Sequence, residues 1–184
     1  MLDGAARVDE LVSEVAKQEM PAIAMTDHGN LFGAFEFYKK ASKAGVKPII
    51  GIEAYVAPES RFDKRKVKWA DGGDDDVSAG GAYTHMTILA ENNQGLANLF
   101  RLSSLASLEG YYYKPRMDRE LLNKYSSGLI ATTGCPGGEV QTKIRMGAYE
   151  EAKKAASELQ DIFGKGNFFI EVMEHGIDIE NRVR

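Results

Sequence analysis

The 184-residue sequence predicts an α/β fold of about five parallel strands joined by crossover helices. Two observations support this. Short apolar runs alternate with stretches whose apolar residues recur at helical spacing, and glycine, proline or a polar cluster stands at the junctions. The composition, 43% hydrophobic and 27% charged, provides enough apolar residues for a core and enough charge for a solvated surface.

In residues 5–20, Val8, Leu11, Val12, Val15 and Ala16 form one helical stripe, which Pro21 stops. Residues 22–25 are a short apolar run delivering Thr26, Asp27, His28, Gly29 and Asn30, the pattern of a buried strand that ends in a loop. Residues 31–45 are helical, with Phe32, Phe35 and Tyr38 on one face and Gly45 as the stop. Residues 46–56 make the next strand, about 83–90 a third and 129–133 a fourth, with helices at 94–109 and from near Asp118 between the last two. A long helical region at 139–163, broken near Gly147, precedes a last strand at 167–173. Such alternation implies a parallel sheet, open or closed into a barrel, and five strands are too few for the standard eight-stranded barrel. Residues 58–81, with RFDKRK followed by DGGDDD, interrupt the pattern and are expected to form a long exposed insertion. Their acidic half lacks the ligand spacing and closing Glu of a calcium loop.

Bulk properties narrow the function. No apolar run reaches about twenty residues, and the start, MLDGAARVDE, lacks the basic and apolar regions of a secretory signal, so a cytoplasmic protein without a membrane partner is expected. The single cysteine, Cys135, excludes an internal disulfide; it is either a small buried hydrophobe or a reactive or metal-binding thiol. A net charge of -4 argues against holding DNA by bulk electrostatics, so any contact with nucleic acid is expected to be local.

In a parallel α/β fold, the loops leaving the strands gather at one face. Asp27 and His28 leave the first strand, Glu53 lies in the second, His85 in the third, and Cys135 follows the fourth. Imidazole, carboxylate and thiolate are the common ligands of zinc and related ions, so these residues are a candidate metal set. Asp27 is placed to orient the neighbouring ring or to bind a second ion. Glu53, in IIGIEAYV, is a charge within an apolar strand; its burial requires either a metal or a basic partner from elsewhere in the fold. His85 fits less well, because it lies near the start of its strand. The segment YYYKPR at 111–116 suits stacking on bases and pairing with phosphate, or else a packed turn over the core.

These residues fall in stretches that resemble one family. PAIAMTDHGNLFGAFEFYKKASKAGVKPIIGIEAY, THMTILAENNQGLANLFRLSS, YYKPRMDRELL, GLIATTGCPGGE and NFFIEVMEHG follow in order the motifs of the PHP (polymerase and histidinol phosphatase) domain of bacterial replicative polymerase alpha subunits. The resemblance implies a distorted (β/α)7 barrel, here incomplete: the family's His-x-His pair would precede Met1 and its Asp-x-His pair would follow Arg184. One partial PHP domain is therefore expected over 1–184, without palm, fingers or thumb. The implied metal ligands are Asp3, His28, Glu53, His85 and Cys135, with Asp27, His28 and Glu53 catalytic and Asp27 orienting the ligands. The implied cofactors are divalent ions, zinc or manganese, up to three in an intact domain.

The activity implied is metal-dependent hydrolysis of a phosphodiester, as a proofreading 3′-5′ exonuclease. Lys114 and Arg116 would contact phosphate. The partners implied are DNA, the remaining polymerase domains of the same polypeptide and the subunits of the replicative holoenzyme. Two other readings remain: a metal-stabilised scaffold that supports the polymerase or recruits a separate proofreading subunit, and a stand-alone phosphatase.

Overall fold

The computed structural model describes residues 4–69 and 78–183. The elements are α1 (Val8–Lys17), β1 (Ala22–His28), α2 (Ala34–Lys43), β2 (Lys47–Val56), β3 (Thr84–Ala90), α3 (Asn93–Leu108), β4 (Arg116–Met117), α4 (Arg119–Tyr125), β5 (Leu129–Thr132), α5 (Glu139–Arg145), α6 (Tyr149–Phe163), β6 (Phe168–Phe169) and α7 (Asp178–Asn181). Local chemistry sets several boundaries. The side chains of Asn92 and Asp118 accept the backbone N–H of Gly95 and Leu121, each at 3.0 Å, and so cap α3 and α4. The break expected near Gly147 separates α5 from α6, with Gly147 at φ 75°.

One six-stranded sheet runs in the order β1-β2-β3-β5-β6, with β4 paired to β2. β1 covers β2 from Lys47 to Glu53, and β4 takes over at Tyr55 and Val56. The expectation of an all-parallel sheet needs one correction: β3 runs antiparallel to both β2 and β5. Among the described residues no crossover helix joins β2 to β3. The chain leaves β2 at Val56 and returns at Thr84 on the same end of the sheet, which is the connection an antiparallel neighbour permits. Among the described residues no ladder joins β1 to β6, so the described sheet is open.

Strand alternation divides the sheet into two faces. On one, Ile52, Ala54, Met86, Ile88 and Ala131 pack with Leu99, Leu102, Leu122 and Leu159 of the helices to form the main core. The other face carries Thr26, His28, Gly51, Glu53, Tyr55, His85 and Thr87. Gly51 is required there: a Cβ would lie 2.7 Å from the Ile88 carbonyl oxygen and 2.5 Å from a Leu89 methyl.

Two details add to or correct the expectations. The described part of the 58–81 insertion is largely exposed, but it is anchored at Arg61. Arg61 is 6% exposed; its backbone N–H donates to Asp118 Oδ2 at 2.8 Å, and its guanidinium pairs with Asp118 at 3.0 Å and Glu109 at 2.6 Å. The DGGDDD run lies outside the described residues. The last strand, expected over 167–173, pairs only at Phe168–Phe169, because β5 ends at Thr132. Beyond that point the Thr133 hydroxyl, not a strand, accepts the N–H of Glu171 at 3.0 Å.

Candidate metal centre

The reversed β3 brings the candidate ligands together. Glu53 and His28 are register partners on β2 and β1, so their side chains share a face. His85 pairs with Tyr55, two residues on from Glu53, and therefore lies on that face too. Its place at the start of β3 is the right one, because an antiparallel strand begins where its neighbours end. Cys135 arrives on the loop after β5, which is held to β3 by the His85 N–H donating to the Gly137 carbonyl at 3.0 Å.

Glu53 reaches both imidazoles. Its Oε2 is 2.9 Å from His28 Nδ1 and its Oε1 is 3.0 Å from His85 Nδ1. Cys135 Sγ lies 3.3 Å from the same His85 nitrogen. The ligand atoms of Glu53, His85 and Cys135 all fall within 4.8 Å of one another. Ligands 2.0–2.3 Å from a tetrahedral zinc stand roughly 3.4 Å apart, so the spacing suits a single ion. A carboxylate oxygen and a sulfur both approach one ring nitrogen, which carries at most one proton. A shared cation would satisfy all three atoms, and the donor set fits such an ion by chemistry and by distance.

The electrostatics follow from burial and pairing. Burial pushes the Glu53 carboxyl up, but the hydrogen bond from His85 and the positive charges of His28 and His85 outweigh it and hold the group below the ordinary carboxylate value. Burial lowers His85, yet its bonds to Cys135 and Glu53 and their negative charge win, raising it to about 9. Burial likewise pushes the Tyr55 phenol up, helped by the Glu53 charge.

The other expected site residues are placed differently. Asp27 points to the opposite face of β1, where its Oδ2 accepts the Gly33 N–H at 2.9 Å beside the start of α2. The orienting contact expected from it is made instead by Glu53. Arg116 is fully buried and donates to four backbone carbonyls: Gly110 and Ala82, each at 3.0 Å, Arg61 at 3.2 Å and Asp63 at 2.7 Å. That geometry leaves it no face for phosphate, so the expected contact is corrected to a structural one. Lys114 is exposed, with Nζ 5.7 Å from the centre of the Tyr55 ring. Asp3 lies outside the described residues.

Sequence reasoning missed the aromatic wall. Tyr83 stacks on His85 at 5.8 Å and Tyr55 meets its edge at 5.4 Å. The signal was available, since Tyr55 follows Glu53 by two and Tyr83 precedes His85 by two, the spacing of one strand face.

A model of the PHP domain family matches residues 1–175. Over its full length the chain is 60% identical to the DNA polymerase III subunit alpha of Saccharopolyspora erythraea and 58% identical to that of Mycobacterium leprae. It is 50% identical to that of Thermus aquaticus. It spans 16%, 16% and 14% of the length of these relatives. The family match takes in all four residues that converge at the sheet rim, and the chain belongs to the PHP domain family.

Proposed function

We propose that the chain is the PHP domain of a replicative DNA-directed DNA polymerase, a DNA polymerase III alpha subunit, and that it hydrolyses phosphodiesters as a metal-dependent 3′-5′ exonuclease. One observation carries the hydrolytic reading: Glu53, His85 and Cys135 hold their ligand atoms within 4.8 Å while the second Glu53 oxygen engages His28. Zinc or manganese bound there would supply Lewis-acid activation of water and neutralise charge on the phosphate. His28, Glu53, His85 and Cys135 would hold the ions, with Asp3 a further ligand and up to three ions in an intact domain. Glu53 fixes both imidazole rings, Tyr55 and Tyr83 shield the His85 side from water, and Lys114 offers an exposed ammonium to phosphate. The partners that go with this reading are DNA, the remaining domains of the polymerase and the other DNA polymerase III holoenzyme subunits, in the cytoplasm. Among the described residues no helix is long and apolar enough to cross a membrane.

The experiment is primer-end hydrolysis with matched and mismatched 3′ termini in zinc or manganese. Loss of mismatch removal in His28→Ala and Cys135→Ala supports the proposal; unchanged removal in both variants overturns it. A second reading, a metal-stabilised scaffold, is favoured by an apolar cleft of about 270 Å³ between α2 and α3, where Phe35, Tyr38 and Phe100 are exposed. It predicts that the same two variants lower the melting temperature of a protein that removes no nucleotides.

A further inference from the structure

The tip of the 111–116 segment is built in a way the fold itself does not require. Tyr113 has φ 61°, a left-handed backbone that side-chain-bearing residues rarely adopt, and the residue is 53% exposed. The Tyr112 N–H donates to the Lys114 carbonyl at 3.0 Å, closing the loop with Tyr113 at the apex. A strained residue whose ring fills no core is the pattern of a ligand clamp.

This tip stands beside the metal centre and packs against its aromatic wall. Gly29, next to His28, is so close that a Cβ there would lie 3.0 Å from the Pro115 ring and 2.7 Å from Tyr55. Tyr113 meets the Tyr112 ring edge-on at 4.7 Å. Tyr112 in turn packs with Tyr55 and Tyr83, the two residues that enclose His85. Beneath it, the Arg116 guanidinium lies 5.0 Å from the Tyr112 ring centre, locked by its bonds to backbone carbonyls. Two exposed cations flank the platform: Lys66 Nζ is 5.4 Å from the Tyr113 ring and Lys114 Nζ is 5.7 Å from the Tyr55 ring.

We propose that Tyr113 and Lys114 form a subsite for the unpaired 3′ end of single-stranded DNA, the base stacking on the Tyr113 ring and a phosphate meeting the Lys114 ammonium. An aromatic face with adjacent cations binds any base without reading its edge. With a net charge of -4, bulk electrostatics add little to the two flanking lysines, so a contact of one or two nucleotides is expected. A paired terminal base is already stacked and hydrogen-bonded within its duplex, so the platform selects frayed ends. The subsite rests on the nuclease reading for its purpose, but not for its detection.

Binding is therefore read in EDTA, by fluorescence anisotropy of a 5′-labelled oligothymidylate added to the chain. Tyr113→Ala is expected to weaken binding about 10-fold and Tyr113→Phe to retain it. Tyr113→Gly removes the ring and accommodates the positive φ, so it should lose binding to the same extent while keeping or raising the melting temperature. Wild-type affinity in Tyr113→Ala and Tyr113→Gly overturns the subsite, as does equal affinity for a blunt duplex. A lowered melting temperature in Tyr113→Gly with unchanged binding also overturns it and makes the ring a packing element. Binding that depends on Tyr113 in a protein that hydrolyses nothing supports the subsite and sinks the nuclease; mismatch removal without such dependence does the reverse.

Discussion

Glu53 spans two imidazoles because its strand register sets it opposite His28 and two residues from the partner of His85. The pairing makes the metal-free protein sensitive to pH in two opposite senses. His85, raised from 6.5 to about 9, contributes stability that is complete below about 6.5 and is lost as the pH rises through 9. Glu53, held below 4.5, contributes stability present above that value and lost as the pH falls through its folded value. Melting temperatures of chelator-treated protein should therefore decline from pH 6.5 toward 9, and His85→Gln should flatten that limb. Zinc at about 100 times its dissociation constant should stabilise the protein by about 2.7 kcal/mol, seen as a raised melting temperature, and Cys135→Ser should remove most of the gain. Glu53 was legible in the sequence because a charge inside an apolar strand must find a cation. Arg116 was not, because a guanidinium buried under backbone carbonyls and one awaiting phosphate share the same aromatic and basic neighbours along the chain. Asp27 was misassigned to the site for a simpler reason: adjacent strand residues face opposite ways, and only one of Asp27 and His28 can meet Glu53.

At the scale of elements, Asp118 joins the start of α4 to the anchored part of 58–69. Its buried carboxylate takes the Leu121 N–H, the Arg61 N–H and the Arg61 guanidinium. Asp118→Ala should cost about 2–4 kcal/mol in urea unfolding, because it removes a cap and the hydrogen bonds of a buried carboxylate to Arg61, which keeps Glu109 as its closer partner. Helix positions were largely legible, since the apolar stripe of α1 and the stop after α5 are local signals. β4 was hidden, because its two residues are too few to show any period. The direction of β3 was hidden for another reason. Alternation reports which face a residue takes, and it is the same for a strand run either way.

For the molecule as a whole, the charge of -4 and the placement of Lys66 and Lys114 by exposed aromatic rings set a quantitative limit on nucleic-acid contact. Two cations meeting single-stranded phosphates predict a plot of log K against log salt with a slope of about -1.4. A titration from low to moderate salt measures it, and a slope several times steeper would require a basic surface beyond these two lysines. The mostly parallel architecture and the gathering of His28, Glu53 and Cys135 at strand exits were legible from the alternation of elements, whereas the place of His85, the metal spacing and the aromatic wall needed coordinates. The reversal of β3 has one more effect. Because β2 finishes and β3 starts at the rim where the ligands meet, both ends of the stretch between Val56 and Thr84 are fixed beside the centre. None of the four converging donors lies within that stretch, so a change in its length would alter the surroundings of the centre without removing a ligand.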